Sequence, residues 1–336
     1  MKSASLVKSA VAAALLATAA IAAPAVAQED APRAETSPLS RVTAARAKKA
    51  EAGEGDRVFG GMEAENGEYP FQVALLASHM LDQQPASQLN AQFCGGSLIA
   101  PGWVLTAAHC LVDNGAPIAP GVVTVLTGAT SLDEGARHQV AQVIVHEGYS
   151  ERTLDNDIGL LKLATDSDAP IIAMVDDNSA TGAATVIGWG LMEDGSFPAH
   201  LMEADIELTE NAACNAGIKD IYARDLAAIL REFAFRMRYS IDGVNAATKA
   251  IAETMRDPLT DNMICAGLAD GARDACNGDS GGPLFVTHDG NRTQVGIVSW
   301  GEGPMDANAA CGHANAYGVY TRLANYRGWI ASHMGE

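Results

Sequence analysis

Three short stretches of this 336-residue chain hold side chains that could do covalent chemistry together. His109 lies in Thr106-Ala107-Ala108-His109-Cys110, after the apolar, strand-like runs Ser97-Leu98-Ile99 and Trp103-Val104-Leu105. Asp157 stands at the mouth of Ile158-Gly159-Leu160-Leu161-Lys162-Leu163, and Ser280 sits in the glycine-rich loop Gly278-Asp279-Ser280-Gly281-Gly282-Pro283. Taken singly, each has an ordinary structural reading: a histidine beside a cysteine, a capping aspartate, a tight turn. Taken in the order His, Asp, Ser, they read as a catalytic triad. A serine hydroxyl is a poor nucleophile at neutral pH and needs an adjacent base. An imidazole, here His109, can take that proton and pass it to a leaving group, and Asp157 would hold the ring in one tautomer and stabilise its cation. Glycines around Ser280 would let the backbone N–H groups of Gly278 and Ser280 converge on a developing oxyanion.

Composition bounds the elements that must carry these residues. At 48% apolar and 19% charged, with 33 glycines, the chain is neither a coiled coil nor a disordered tail. A net charge of −19 argues against nucleic acid as a partner, because phosphate binding needs clustered Lys and Arg. Lys2 and Lys8, an apolar run from Ala10 to Ala23 and the small residues Ala25-Val26-Ala27 predict a secretory signal peptide over 1–27. Beyond it no apolar run approaches the ~20 residues of a membrane helix, so no membrane span is expected. A secreted or periplasmic location follows, and six cysteines then read as up to three disulfides. Residues 28–57, with no aromatic and few large aliphatic side chains, read as a flexible pro-segment with no core of its own, ending at Arg57. Its removal with the signal peptide leaves 14 basic and 35 acidic residues, a net −21.

In sequence and order, these stretches resemble the chymotrypsin/trypsin family of serine peptidases over nearly all of residues 58–336. The likeness extends to Cys94-Gly95-Gly96-Ser97-Leu98-Ile99, Gly188-Trp189-Gly190, Ser299-Trp300-Gly301 and Gly318-Val319-Tyr320-Thr321-Arg322. The resemblance implies an all-β fold of two six-stranded antiparallel β-barrels with the active site between them, followed by a C-terminal helix. It also implies the pairings Cys94–Cys110, Cys214–Cys265 and Cys276–Cys311, where the sequence alone leaves about fifteen connectivities open. Arg57-Val58-Phe59-Gly60-Gly61 is similar to the family's activation site: cleavage after Arg57 would free the Val58 ammonium to pair with Asp279 and set the loop of Gly278 and Ser280. Asp274, six residues before Ser280, would lie at the base of the primary pocket and select Arg or Lys, with Ser299, Trp300, Gly301 and Gly318 lining the substrate path. The implied function is a secreted serine endopeptidase domain over 58–336, acting through an acyl-enzyme on polypeptides with Arg or Lys. An activating peptidase and protein inhibitors are the further partners. No metal or cofactor is expected, and Ala129 stands where calcium-binding relatives would carry a carboxylate. A reading from another class is a catalytically silent binding protein on the same fold, which would usually lack a triad member.

The segment between Cys214 and Cys265 is far longer than the resemblance leads one to expect. Tyr222, Leu226, Ile229, Leu230, Phe233 and Met237 recur at helical spacing, Val244, Ala247, Ile251 and Met255 suggest a second helix, and Asp257-Pro258 ends it. A helical insert over about 215–262 is therefore expected. Arg224, Arg231 and Arg238 fall seven apart as one stripe. The stripe reads either as solvated or paired to the acidic body, or as an exosite or lid for acidic partners.

Overall fold

The computed structural model describes residues 37–50, 60–307 and 311–335. The signal peptide, Arg57 and Val58 lie outside them. Six strands close the first barrel: β1 (Gln72–Ala77), β2 (Gln92–Ala100), β3 (Trp103–Thr106), β4 (Val123–Thr127), β5 (Ala136–Val145) and β6 (Gly159–Leu163). They pair antiparallel in the ring order β1-β2-β3-β6-β5-β4. The second barrel comprises β7 (Gly182–Gly188), β8 (Met202–Thr209), β9 (Met263–Gly267), β10 (Pro283–His288), β11 (Asn291–Trp300) and β12 (Gly318–Arg322). Its ring runs β7-β10-β11-β12-β9-β8, closed by the β7–β8 pairing. Closure leaves no open edge in either ring, which suits strands as apolar as these. A short segment, Met62–Glu63, adds to β8, and Ala173–Met174 runs parallel beside β11.

The barrels share a core. Ile187, Trp189, Phe285 and Ile297 of the second half pack with Val73, Leu98, Leu105 and Leu160 of the first, whereas Val186, Ile206, Leu284 and Tyr320 fill the second barrel alone. The disulfides pair Cys94–Cys110, Cys214–Cys265 and Cys276–Cys311, as the resemblance implies, and no cysteine is free. The terminal helix spans Arg327–Met334.

Two elements depart from the sequence reading. Residues 38–50, read as part of a segment without a core, form helix α1 (Pro38–Ala50). Leu39 and Val42 enter the main core, and Thr43 and Arg46 are buried too. The reading weighed aromatics and large aliphatics, but positions 39, 42, 43 and 46 already follow the i, i+3, i+4, i+7 spacing of one helix face. After the short helix α2 (Ser87–Ala91), the insert is the hairpin of α3 (Asn211–Met237) and α4 (Ile241–Ala252). Arg238 at φ 55° ends α3, and Ser240 caps α4 by accepting from the Gly243 N–H at 3.0 Å. The buried face of α3 is Cys214, Ile218, Ile221 and Asp225, while Ile229 and Phe233 of the expected stripe are exposed. The disulfide at Cys214 decides the rotation: it draws the first turns onto Leu259, Met263 and Val319.

Candidate active site

Each functional residue is delivered by the end of a strand or by the loop beyond it. β3 runs into a 3₁₀ turn, Ala108–Cys110, that presents His109. Asp157 precedes β6 and is fully buried. Its carboxylate accepts from the His109 backbone N–H at 2.8 Å, contacts His109 Nδ1 at 2.7 Å and accepts from the Ser299 hydroxyl, while its carbonyl accepts from Thr321 Oγ1 at 2.6 Å. A buried carboxylate so held cannot rotate away, and a proton on Nδ1 leaves Nε2 as the free base. Ser299, expected on the substrate path, thus also braces Asp157. Nothing in the sequence signalled this second contact.

The Ser280 loop comes up against the His109 segment. The Ser280 carbonyl accepts from the Gly95 N–H at 2.8 Å and lies 3.5 Å from Cys110 Sγ. Gly281 has φ +82°, and a Cβ there would meet Thr106 Oγ1 at 2.2 Å, so only glycine fits. The N–H groups of Asp279, Gly281 and Gly282 bond to the carbonyls of Cys276, Val298 and Asp279. Those of Gly278 and Ser280 have no protein partner among the described residues, as donors for an incoming oxyanion require. The Gly278 carbonyl is fixed from behind by Gln92 Nε2 at 2.9 Å.

Two buried aspartates flank this loop. Asp279 accepts from the N–H groups of Gly190 at 2.7 Å and Cys276 at 2.9 Å. A Cβ at Gly188 or Gly190 would fall within 2.4 Å of its carboxylate, which explains the glycines on both sides of Trp189. Burial pushes Asp279 up to about 6. Asp274 lies below Gly318, where a Cβ would come 3.0 Å from Oδ1. Its Oδ2 accepts from the Gly312 N–H at 3.3 Å and its Oδ1 has no hydrogen-bond partner among the described residues; burial, opposed by the backbone N–H groups of Gly312 and Ala275 and aided by the charge of Asp279, pushes this carboxyl up to about 7. The wall at Gly301 is open, with nothing within 4 Å of where a Cβ would stand. Cys94, His109 and Cys110 come together with the spacing of metal ligands, but the two sulfurs are bonded to each other and offer no thiolate.

The insert borders this site. Tyr222 donates to Glu302 at 2.8 Å, Arg224 pairs with Asp306, and Asp225 accepts from the Met305 N–H at 3.1 Å, so α3 braces the loop that follows Trp300. Arg224, one member of the arginine stripe, is therefore engaged, and Arg231 reaches Asn245 of α4 at 3.4 Å.

The Trypsin family model matches residues 58–230 and 236–330. Vitamin K-dependent protein C of Rattus norvegicus is 32% identical over 296 residues, covering 84% of this chain and 52% of its own length. Trypsin-1 of Astacus astacus is 30% identical over 283 residues, covering 81% and 98%, and Trypsin Blo t 3 of Blomia tropicalis is 30% identical over 282, covering 80% and 83%. The chain spans about half the length of the protein C relatives it matches. With two closed antiparallel barrels and three disulfides beneath that match, this chain belongs to the trypsin family of serine peptidases.

Proposed function

We propose that this chain is the precursor of a secreted serine endopeptidase that cuts after Arg and Lys. The observation that carries the reading is the pair of buried Asp157 and part-buried His109 set against the Ser280 loop, with the N–H groups of Gly278 and Ser280 unengaged among the described residues. Ser280 Oγ attacks the scissile carbonyl and its proton passes to His109 Nε2, while the Nδ1–H stays on Asp157. The oxyanion is held by the Gly278 and Ser280 N–H groups. Collapse breaks the C–N bond, His109 returns the proton to the departing amine, and an acyl-enzyme remains. Water, deprotonated by the same imidazole, releases the acid.

The Oδ1 of Asp274, without a hydrogen-bond partner among the described residues, supports the choice of substrate. A buried carboxylate short of a hydrogen bond favours a cation with donors of its own, and a guanidinium or ammonium at the end of a long side chain supplies both. Activation by cleavage after Arg57 is supported by the family match beginning at residue 58 and by the anchoring of Gly60, whose N–H donates to Glu193 at 2.9 Å. The freed Val58 ammonium would pair with Asp279, which lines a cleft together with Ile187, Gly188, Met202, Ala204 and Asp274. Export is supported by the signal-peptide pattern and by three disulfides, and no helix among the described residues is long and apolar enough to cross a membrane.

The test is to profile the chain cleaved after Arg57 on substrates ending in Arg, Lys, Phe or Ala, alongside organophosphate labelling of Ser280. Preference for Arg and Lys with a labelled Ser280 is expected. Preference for Phe overturns the specificity, and a processed chain that takes no label favours the silent binding protein.

A further inference from the structure

The peptidase reading leaves α1 without a role, yet α1 is built into the flank of the site. It packs on β2, on α2 and on the turn that carries His109. Its Arg46 is only 2% exposed, which is rare for an arginine with no carboxylate in contact among the described residues. Nη2 donates to the Trp189 carbonyl at 2.6 Å and to Gln92 Oε1, and the guanidinium stands 4.3 Å from the centroid of the Phe197 ring. Both acceptors lead to the oxyanion loop. The Trp189 carbonyl and the Gly190 N–H belong to one peptide group, and that N–H holds Asp279. Gln92 Nε2 holds the Gly278 carbonyl. One guanidinium is therefore a single intermediary away from each of the two residues that precede the nucleophile.

The recess has the chemistry of a cation site: two acceptors, an aromatic face and the charge of Asp279, which favours the guanidinium through space. Its grip is incomplete, because Nε and Nη1 of Arg46 have no hydrogen-bond partner among the described residues. Buried donors left unpaired weaken the hold, which suits an occupant that must be able to leave.

We propose that Gln92 Oε1, the Trp189 carbonyl and the Phe197 ring form a second guanidinium-binding site, separate from the Asp274 pocket, and that α1 is its built-in ligand. In the uncleaved chain Arg46 fills the site and α1 covers the flank beside His109 and Gly278. Once the chain is cut after Arg57, α1 is held only by its own contacts, and an arginine of a polypeptide substrate can compete for the same recess. The site rests on the structure. The inhibitory role of α1 rests on the peptidase activity proposed above.

The probe is a fluorescein-labelled peptide of residues 37–50, added to the chain that has been cleaved after Arg57 and separated from its pro-segment. Saturable binding by fluorescence anisotropy is expected, weakened at least about tenfold by Arg46→Ala, the least that losing a charge-assisted hydrogen bond predicts. Asp274→Asn in the protein should leave this binding unchanged and Gln92→Ala should weaken it. The wild-type peptide should also slow hydrolysis of an arginine-rich polypeptide. Equal binding of the wild-type and Arg46→Ala peptides overturns the site. If neither binds, hydrogen exchange of the intact chain decides: Arg46→Ala should speed exchange over residues 41–49 at least about tenfold, and unchanged exchange overturns the proposal. A processed chain that binds the peptide but cuts nothing sinks the peptidase reading and leaves the site standing.

Discussion

Replacing Asp274 by Asn should move activity and stability in opposite directions. The amide keeps an acceptor for the Gly312 N–H and nearly the same volume, so packing is preserved. What changes is the charge. The wild-type carboxyl is raised from 3.8 to about 7 by burial and, secondarily, by Asp279. The native state thus binds more protons than the unfolded state between about pH 4 and pH 7, and stability falls as pH rises through that window. At 1.36 kcal/mol per decade the cost above pH 7 is on the order of 4 kcal/mol, and relaxation brings the recoverable part to about 2–4 kcal/mol. Asp274→Asn should accordingly raise Tm of the uncleaved chain by roughly 5–10 °C at pH 8, with the gain shrinking to nothing by pH 4. The same substitution deprives a bound guanidinium of its counter-charge. After cleavage at Arg57, kcat/KM for an arginyl anilide should fall about 10²- to 10⁴-fold while that for a small neutral residue changes little. Thermal melts at pH 4, 6 and 8 and paired anilide assays read both effects. A Tm difference that does not vary with pH, or undiminished arginine cleavage, would refute the reasoning.

Two further substitutions test the positioning elements. Gly281→Ala should destabilise the chain by at least about 2 kcal/mol in urea unfolding, since φ +82° disfavours a Cβ that would also strike Thr106 Oγ1 and the Gly95 carbonyl. In the insert, Arg224→Ala should cost under about 1 kcal/mol because its ion pair with Asp306 is exposed. Asp225→Ala, which removes a buried carboxylate's hydrogen bond to the Met305 N–H, should cost about 1 kcal/mol and raise KM for long peptides more than for single-residue anilides.

The site is organised by glycine as much as by the groups that react. Gly188, Gly190, Gly281 and Gly318 each stand where a Cβ would meet a carboxylate or a neighbouring strand at 3.0 Å or less. Two aspartates can thus be buried within a few residues of Ser280. Burial raises both carboxyls, and at Asp279 the charge of Arg46 partly offsets it; in the proposed function a substrate cation would answer Asp274 and the freed Val58 ammonium Asp279.

The candidate triad was readable in the chain because each member sits in a motif whose local geometry demands its neighbours: a positive φ after Ser280, an apolar strand before His109, an apolar strand after Asp157. The two barrels were legible only through the resemblance that these motifs carry, because closing a ring of strands depends on pairings between residues far apart in the chain. The insert was legible as two helices, since periodicity is local, but the face that α3 buries was not, because the Cys214–Cys265 bridge sets its rotation. The spacing could place Arg46 on a helix face with Leu39 and Val42, but its partners were beyond sequence reading. An arginine in an Ala- and Lys-rich stretch looks solvated, and only the folded chain brings it to Gln92, 46 residues away, and to Trp189, 143 residues away. Local chemistry is written in neighbouring residues, whereas the partner of a buried charge is chosen by the fold, because a charge leaves water only where distant segments converge to replace it.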